Sequence, residues 1–276
     1  MDDDGTSRKL KKRLQKRCKD KCWKKRGKRR CVQGCIKKAG CKRKCKTAGN
    51  KQNSKKRCVQ VCFKTQPALA DTVVDAPDAS DSDFGDPTLA VNGVRGGGIN
   101  GQSTDVYSIQ DGGHLTISFG GRRARNGPGV DFAVFENPFE FGGGQTFMDQ
   151  TIVELSIDGK TWVKFPHDYV AADETTYSNL QADWIGFAGV GPVLLHNEDN
   201  PVDPFDAEAA GGNQFDLDDL PRDGEAGRIR KTGFVYLRLS PASDFVNPDT
   251  GLPFPRDAFA NGPDVDGAWG RYVDAK

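Results

Sequence analysis

The chain predicts a mainly β protein: a jelly-roll-like antiparallel β-sandwich preceded by a small Cys-rich α-hairpin region. Three observations carry that expectation. Thr151–Ile157 alternates, with Val153, Leu155 and Ile157 on one face and Glu154 and Ser156 on the other, the period of a half-buried strand. Phe234–Leu239 repeats the pattern, placing Val235, Leu237 and Leu239 together and Arg238 opposite. An apolar content of 36% with 33 Gly and 15 Pro suits a turn-rich β body joined to small-core additions.

Charge divides the chain. Residues 1–66 hold 26 of the 40 Lys and Arg but 4 of the 38 Asp and Glu, a formal charge of +22. The rest carries −20, so the net charge of +2 describes neither part. The expected organisation is 1–66 basic helical hairpins, 67–83 a linker rich in Pro, Ala and Asp, and 84–276 the sandwich. No run of about 18 apolar residues is present, so no transmembrane helix is expected. No apolar stretch follows the start, so no secretory signal is visible.

All 8 cysteines fall in the basic region as Cys18/Cys22, Cys31/Cys35, Cys41/Cys45 and Cys58/Cys62. Residues four apart share a helix face. Gly27 and the Thr47–Asn50 stretch interrupt the helical segments, which suggests two helix–turn–helix units. Folded antiparallel, the first sets Cys18 against Cys35 and Cys22 against Cys31. The second sets Cys41 against Cys62 and Cys45 against Cys58. The spacing resembles that of the α-hairpinins, helical hairpins held by two disulfides. So few apolar residues call for cross-links, each worth roughly 2–4 kcal/mol. Zinc held by four cysteines per unit is the alternative. The positive charge calls for a polyanion or an anionic surface as partner. Only Trp23 and Phe63 are aromatic there, so base stacking has little support.

Within the sandwich region, Val106–Ile109 reads as a short strand and His114–Phe119 as one buried on a single side. Val130–Phe135 is apolar on both faces apart from Asp131, the mark of a central strand. Pro138 ends its pairing. Phe139–Thr146 reads as a glycine loop, and Asp158-Gly159 as a two-residue hairpin turn. His167–Gly191 and Asn197–Asp223 read as long loops. After Pro241 only Arg271–Val273 looks β-like. Gly96–Gly98 lacks the lysine and helix of a phosphate loop.

The run ELSIDGKTWVKF followed by VYLRLS resembles the strand pair of galactose-binding-like, discoidin-type sandwich domains. DGGHLTISFGG, NGPGVDFAVFENPF, AGGNQFDLDDL and GPDVDG resemble a narrower group, the bacterial cell-surface or lipoprotein-type sandwich proteins, over residues 84–274. The resemblance implies a fold more firmly than an activity. Asp131, Glu136, Asn137, Asp216, Asp264 and Asp266 match that group's motifs, and several are expected to build a structural calcium site from converging loops. Turn capping by Asp and Asn explains the same residues without a metal.

Trp184 and Trp269 lie in loop-like sequence and are the candidate ligand platform; Trp162 reads as core. Catalysis has little support. There is no H-E-x-x-H or G-x-S-x-G, and His114, His167 and His196 are isolated. A carboxylate pair such as Glu136 with Asp216 is the remaining route to a glycan-active enzyme. The functional expectation is a noncatalytic extracellular or cell-surface binding or adhesion protein. It would recognise glycan or matrix polymer and be tethered to an anionic surface by the basic region. A defence or toxin-like protein acting on membranes or nucleic acid through residues 8–64 is the alternative.

Overall fold

The computed structural model describes residues 64–275, and a compact unit starts at Gln66. The Cys-rich hairpins, with their disulfide or zinc expectations, lie outside the described residues. Strands run in the order β1 (Thr65–Leu69), β2 (Thr72–Asp75), β3 (Tyr107–Ser108), β4 (Leu115–Ser118), β5 (Phe132–Glu136), β6 (Phe139–Gly142) and β7 (Gln145–Phe147). Then come β8 (Thr151–Ser156), β9 (Trp162–Lys164), β10 (Asp168–Tyr169), β11 (Trp184–Ile185), β12 (Asn213–Phe215), β13 (Tyr236–Pro241) and β14 (Asp264–Asp274). Two short helices, α1 (Ala207–Ala210) and α2 (Gly224–Thr232), interrupt the later part.

Two sheets make the sandwich. One is ordered β1-β14-β5-β12, with β3 also on β14; the other is β2-β4-β13-β8-β9. β13 pairs antiparallel with both β4 and β8, and β14 antiparallel with β5. The expected alternation holds where it was clearest. Val153, Leu155, Leu237 and Leu239 are buried in the core between the sheets, with Ile157 packed against it. Phe132 anchors that core, stacked on Phe215 at 4.8 Å and meeting Phe234 edge-on at 5.1 Å. Each such side chain contributes roughly 1.5–3 kcal/mol by leaving water.

Several expectations are corrected. The stretch read as a linker enters the sandwich instead. β1 joins one sheet, β2 the other, and Ala70 between them is fully buried. Pro67 and the acids made this look like a tether, but both strands lie at sheet edges, where proline and charge are tolerated. The glycine loop after Pro138 is the β6–β7 ribbon, turning through Gly142, Gly143 and Gly144, all at positive φ. Ser156 pairs with Trp162, so the β8–β9 turn is a longer loop than two residues. Asp158 accepts the N–H groups of both Lys160 and Thr161 there, at 2.9 Å each.

β4 is buried on both faces, not one. Trp162 is half-buried on the outside of its sheet, with the Arg238 guanidinium 3.8 Å above its ring. The largest departure is β14, an 11-residue strand where the sequence showed only a short β-like run. Its Asp264, Asp266, Gly267 and Gly270 all disfavour strands in isolation. Gly270 lies opposite Phe132, where an added Cβ would sit 2.6 Å from Val273 and 3.0 Å from the Phe119 ring. The glycine that obscures the strand is the one that makes room for the core.

Candidate functional site

β5 carries a carboxylate at each end. Asp131 precedes it and Glu136 closes it, roughly 16 Å apart at ~3.3 Å per residue. The Asp131 end is closed. Asp131 is fully buried, its Oδ1 accepting the Gly127 N–H at 2.6 Å and its Oδ2 the Leu217 N–H at 2.9 Å. Asp216 lies beside it and caps a single 3-10 turn by accepting the Asp218 N–H at 2.8 Å. Burial raises the Asp131 carboxyl well above the ordinary range, opposed by those two N–H bonds.

The Glu136 end is different. Oε1 accepts the Asp264 N–H at 2.9 Å, but Oε2 is buried without a hydrogen-bond partner. Asp264, at the start of β14, accepts a hydrogen bond from the Ser108 hydroxyl. Burial, then Asp149 and Asp264, push the Glu136 carboxyl far upward. Asp149, on the segment leading into β8, is 9% exposed. Among the described residues no donor reaches its carboxylate; its backbone oxygen accepts from Thr151. Burial foremost, then Asp264 and Asp257, lift Asp149 from 3.8 to about 7, with Arg256 pulling the other way.

A narrow cleft with about 10 Å³ of space, room for about one water, opens here, lined by Asp111, Asp149, Gln150, Ser243, Arg256 and Ala260, among others. It forms because β3 and β13 end, and β8 and β14 begin, at this end of the sandwich. Arg256 is held by Asp111, 2.5 and 2.7 Å from its two carboxylate oxygens. The same loop carries Phe259, 88% exposed, between Asp257 and Ala260. The Asp257 carboxylate accepts the Phe259 N–H at 2.8 Å and braces the loop.

The six residues expected around calcium are therefore dispersed. Glu136 and Asp264 meet; Asp131 and Asp216 lie at the far end of β5. Asp266 spends both oxygens on the Arg95 N–H, at 2.9 and 3.0 Å. Asn137 pairs with the backbone of Ser103, accepting its N–H at 2.8 Å and donating to its carbonyl at 3.0 Å. Among the described residues no group of three or more His, Cys, Asp or Glu side chains is placed to hold a metal ion. The Glu136–Asp216 pair is likewise too far apart for glycoside hydrolysis, which needs about 5–9.5 Å.

Neither tryptophan reaches the cleft. Trp184 is 3% exposed, stacked on Tyr169 at 3.9 Å, with its Nε1 donating to the Ser178 carbonyl. It is core, not a platform. Trp269 lies within β14 rather than in a loop, and packs on the cluster of Val94, Phe135, Val193 and Phe205.

No protein-family model and no curated protein matches the chain. Among solved structures the chain is similar to CBM32-3 from a family 31 glycoside hydrolase of Clostridium perfringens. That match has 12% identity and a TM-score of 0.32, and covers 75% of this chain and 91% of that one. A likeness this distant carries no argument about activity, and the sandwich is read from the chain's own sheets.

Sequence reasoning missed Asp111, Asp149, Arg256 and Phe259. Asp149 offers no sequence signal, because its isolation depends on which loops close over it. Phe259 offers one: a bulky ring inside PRDAFANGP, a run of turn formers with no strand for it to pack into.

Proposed function

We propose that the sandwich is a noncatalytic recognition module that binds a glycan on the exposed loop surface around Phe259. The observation that supports this best is Phe259 itself, a ring 88% exposed on a loop that also carries the polar groups of Arg256 and Asp257. A sugar presents a C–H face to such a ring and hydroxyls to such polar groups. Catalysis is not part of the reading.

In this reading the basic region, with its charge of +22 over residues 1–66, holds the module against an anionic surface outside the cytoplasm. Calcium enters only through Glu136 and Asp264, and melting with and without calcium tests that part. Among the described residues no helix is long and apolar enough to cross a membrane. The test of the main reading is a glycan array probed with the full chain and with Phe259→Ala. Loss of the bound glycan by about tenfold or more, at unchanged melting temperature, is expected from losing a stacked ring. Binding that survives the substitution overturns the assignment of this surface.

A further inference from the structure

A hollow of about 370 Å³ opens at the side of the sandwich, within the range of roughly 300–1,000 Å³ of small-molecule sites. β9 ends one sheet and β12 ends the other. Phe165, just past β9, meets Phe215 of β12 edge-on at 5.0 Å, so the two edges come together on this side. Phe165, Pro166, Pro221, Pro248 and Phe254 form most of the wall. Both phenylalanines are buried and fixed, Phe254 by an edge-on contact with Phe187 at 5.2 Å. Proline rings are stiff and offer no N–H. The wall is preformed and apolar, and a ligand pays little to order it.

Three polar groups break that wall. His167 is locked in place: its Nδ1 lies 2.7 Å from the Phe165 carbonyl, and its ring meets Phe187 and Phe254 edge-on at 5.0 and 5.8 Å. A carbonyl only accepts, so Nδ1 carries the proton and Nε2 of the neutral ring is a bare acceptor. Nothing among the described residues bonds to that Nε2. The Lys164 ammonium lies 3.9 Å from the centre of the Phe245 ring and forms no ion pair among the described residues. The Asp168 carboxylate has no partner among them either. Asn247 is already engaged, accepting the Asp249 N–H at 3.0 Å and donating to Glu174 at 3.3 Å.

These groups narrow the ligand. An anion is disfavoured, because Asp168 balances Lys164 and the chain beyond residue 66 carries −20. A wholly apolar ligand would displace water from three unbonded polar groups and give nothing back. A neutral ring with a C–H face and adjacent hydroxyls meets both requirements. Each hydroxyl donates and accepts, so such a pair takes a bond from Lys164 and gives one to His167 Nε2 or Asp168.

We propose that this hollow is a second carbohydrate site. It takes one neutral pyranose unit against the Phe254 and proline wall, with Lys164, His167 and Asp168 on its hydroxyls. Phe259 is not among the lining residues, so the site goes beyond the surface described above and does not depend on it.

The test follows backbone amide resonances of the full chain during titration with methyl hexopyranosides of the gluco, galacto and manno series. Cyclohexanol and cyclohexanecarboxylate serve as the apolar and anionic ring controls. At least one pyranoside is expected to give saturable shifts at residues 164–168, 247–248 and 254, with both controls about tenfold weaker or worse. Lys164→Met keeps the side-chain stem at an exposed position, and should weaken binding about tenfold. Pro248→Trp, also exposed, should fill the hollow and abolish the shifts. No saturable shift from any pyranoside, equal binding of either control, or binding unchanged in both variants overturns the second site. If array glycans bind through Phe259 while no pyranoside moves these residues, the second site falls and the earlier reading stands. If pyranosides bind here while array binding ignores Phe259→Ala, the earlier reading falls and this site stands.

Discussion

Asp131 and Glu136 bracket the same strand, are both buried, and are both pushed upward by burial, yet they do different work. Asp131 uses its two oxygens to fasten the 120s loop and the turn after β12 to the core. Glu136 has one oxygen bonded and one idle, beneath a neighbour, Asp149, that has no donor at all among the described residues. A buried carboxylate that is satisfied stabilises the fold; one left unsatisfied is maintained at the fold's expense. The difference separates an end of the sandwich whose carboxylates hold backbone from one whose carboxylates are left partly unbonded, although both are acidic and glycine-rich in sequence.

That contrast breaks first at Asp131. Asp131→Ala strands two buried N–H groups and should cost about 3–5 kcal/mol, or roughly 10 °C in melting temperature. Calorimetry that found it neutral would mean that the loops hold themselves. Glu136→Gln should act in the opposite direction. It keeps an acceptor for the Asp264 N–H and removes a charge repelled by Asp149 and Asp264, so a gain of about 1–3 kcal/mol is expected near pH 8.

Asp149 sharpens the comparison through pH. Its folded pKa is raised from 3.8 to about 7, so the folded protein holds the proton more tightly than the unfolded chain. Stability from this group is full below about pH 4 and is lost as pH rises through about 7. Asp149→Asn should therefore melt like the wild type at pH 4. Above pH 7 it should be more stable, by on the order of 2–4 kcal/mol. Parallel melting curves across that range would contradict the account. The smallest effect belongs to Asp216→Ala, the loss of one half-exposed cap, at about 1 kcal/mol in a denaturant titration.

The sequence made the middle of the fold legible and its edges obscure. β5, β8 and β13 were readable because each is buried enough for its apolar period to show. β1 and β2 were not, because edge strands tolerate the Pro67 and Asp75 that argue against a strand. β14 was hidden by glycines and aspartates whose roles are tertiary: Gly270 yields space to Phe119, and Asp266 holds the Arg95 backbone. Of the motif residues, Glu136 and Asp264 meet at one end of β5 and Asp131 and Asp216 at the other, a division that the motifs do not show. Aromatic reasoning sought tryptophan in loop-like sequence, and the core claimed Trp184. Phe259 escaped because one phenylalanine in a loop is weak as a signal until its neighbours are known.

The most direct measurement maps a bound ligand onto the two ends of the sandwich. Backbone amide resonances of the full chain would be followed during titration with the best binder from the glycan array. The account predicts that shifts concentrate at residues 109–113, 148–150, 241–244 and 255–264, with residues 125–131 and 214–219 unmoved. Shifts centred on that second group, around Asp131, would contradict it.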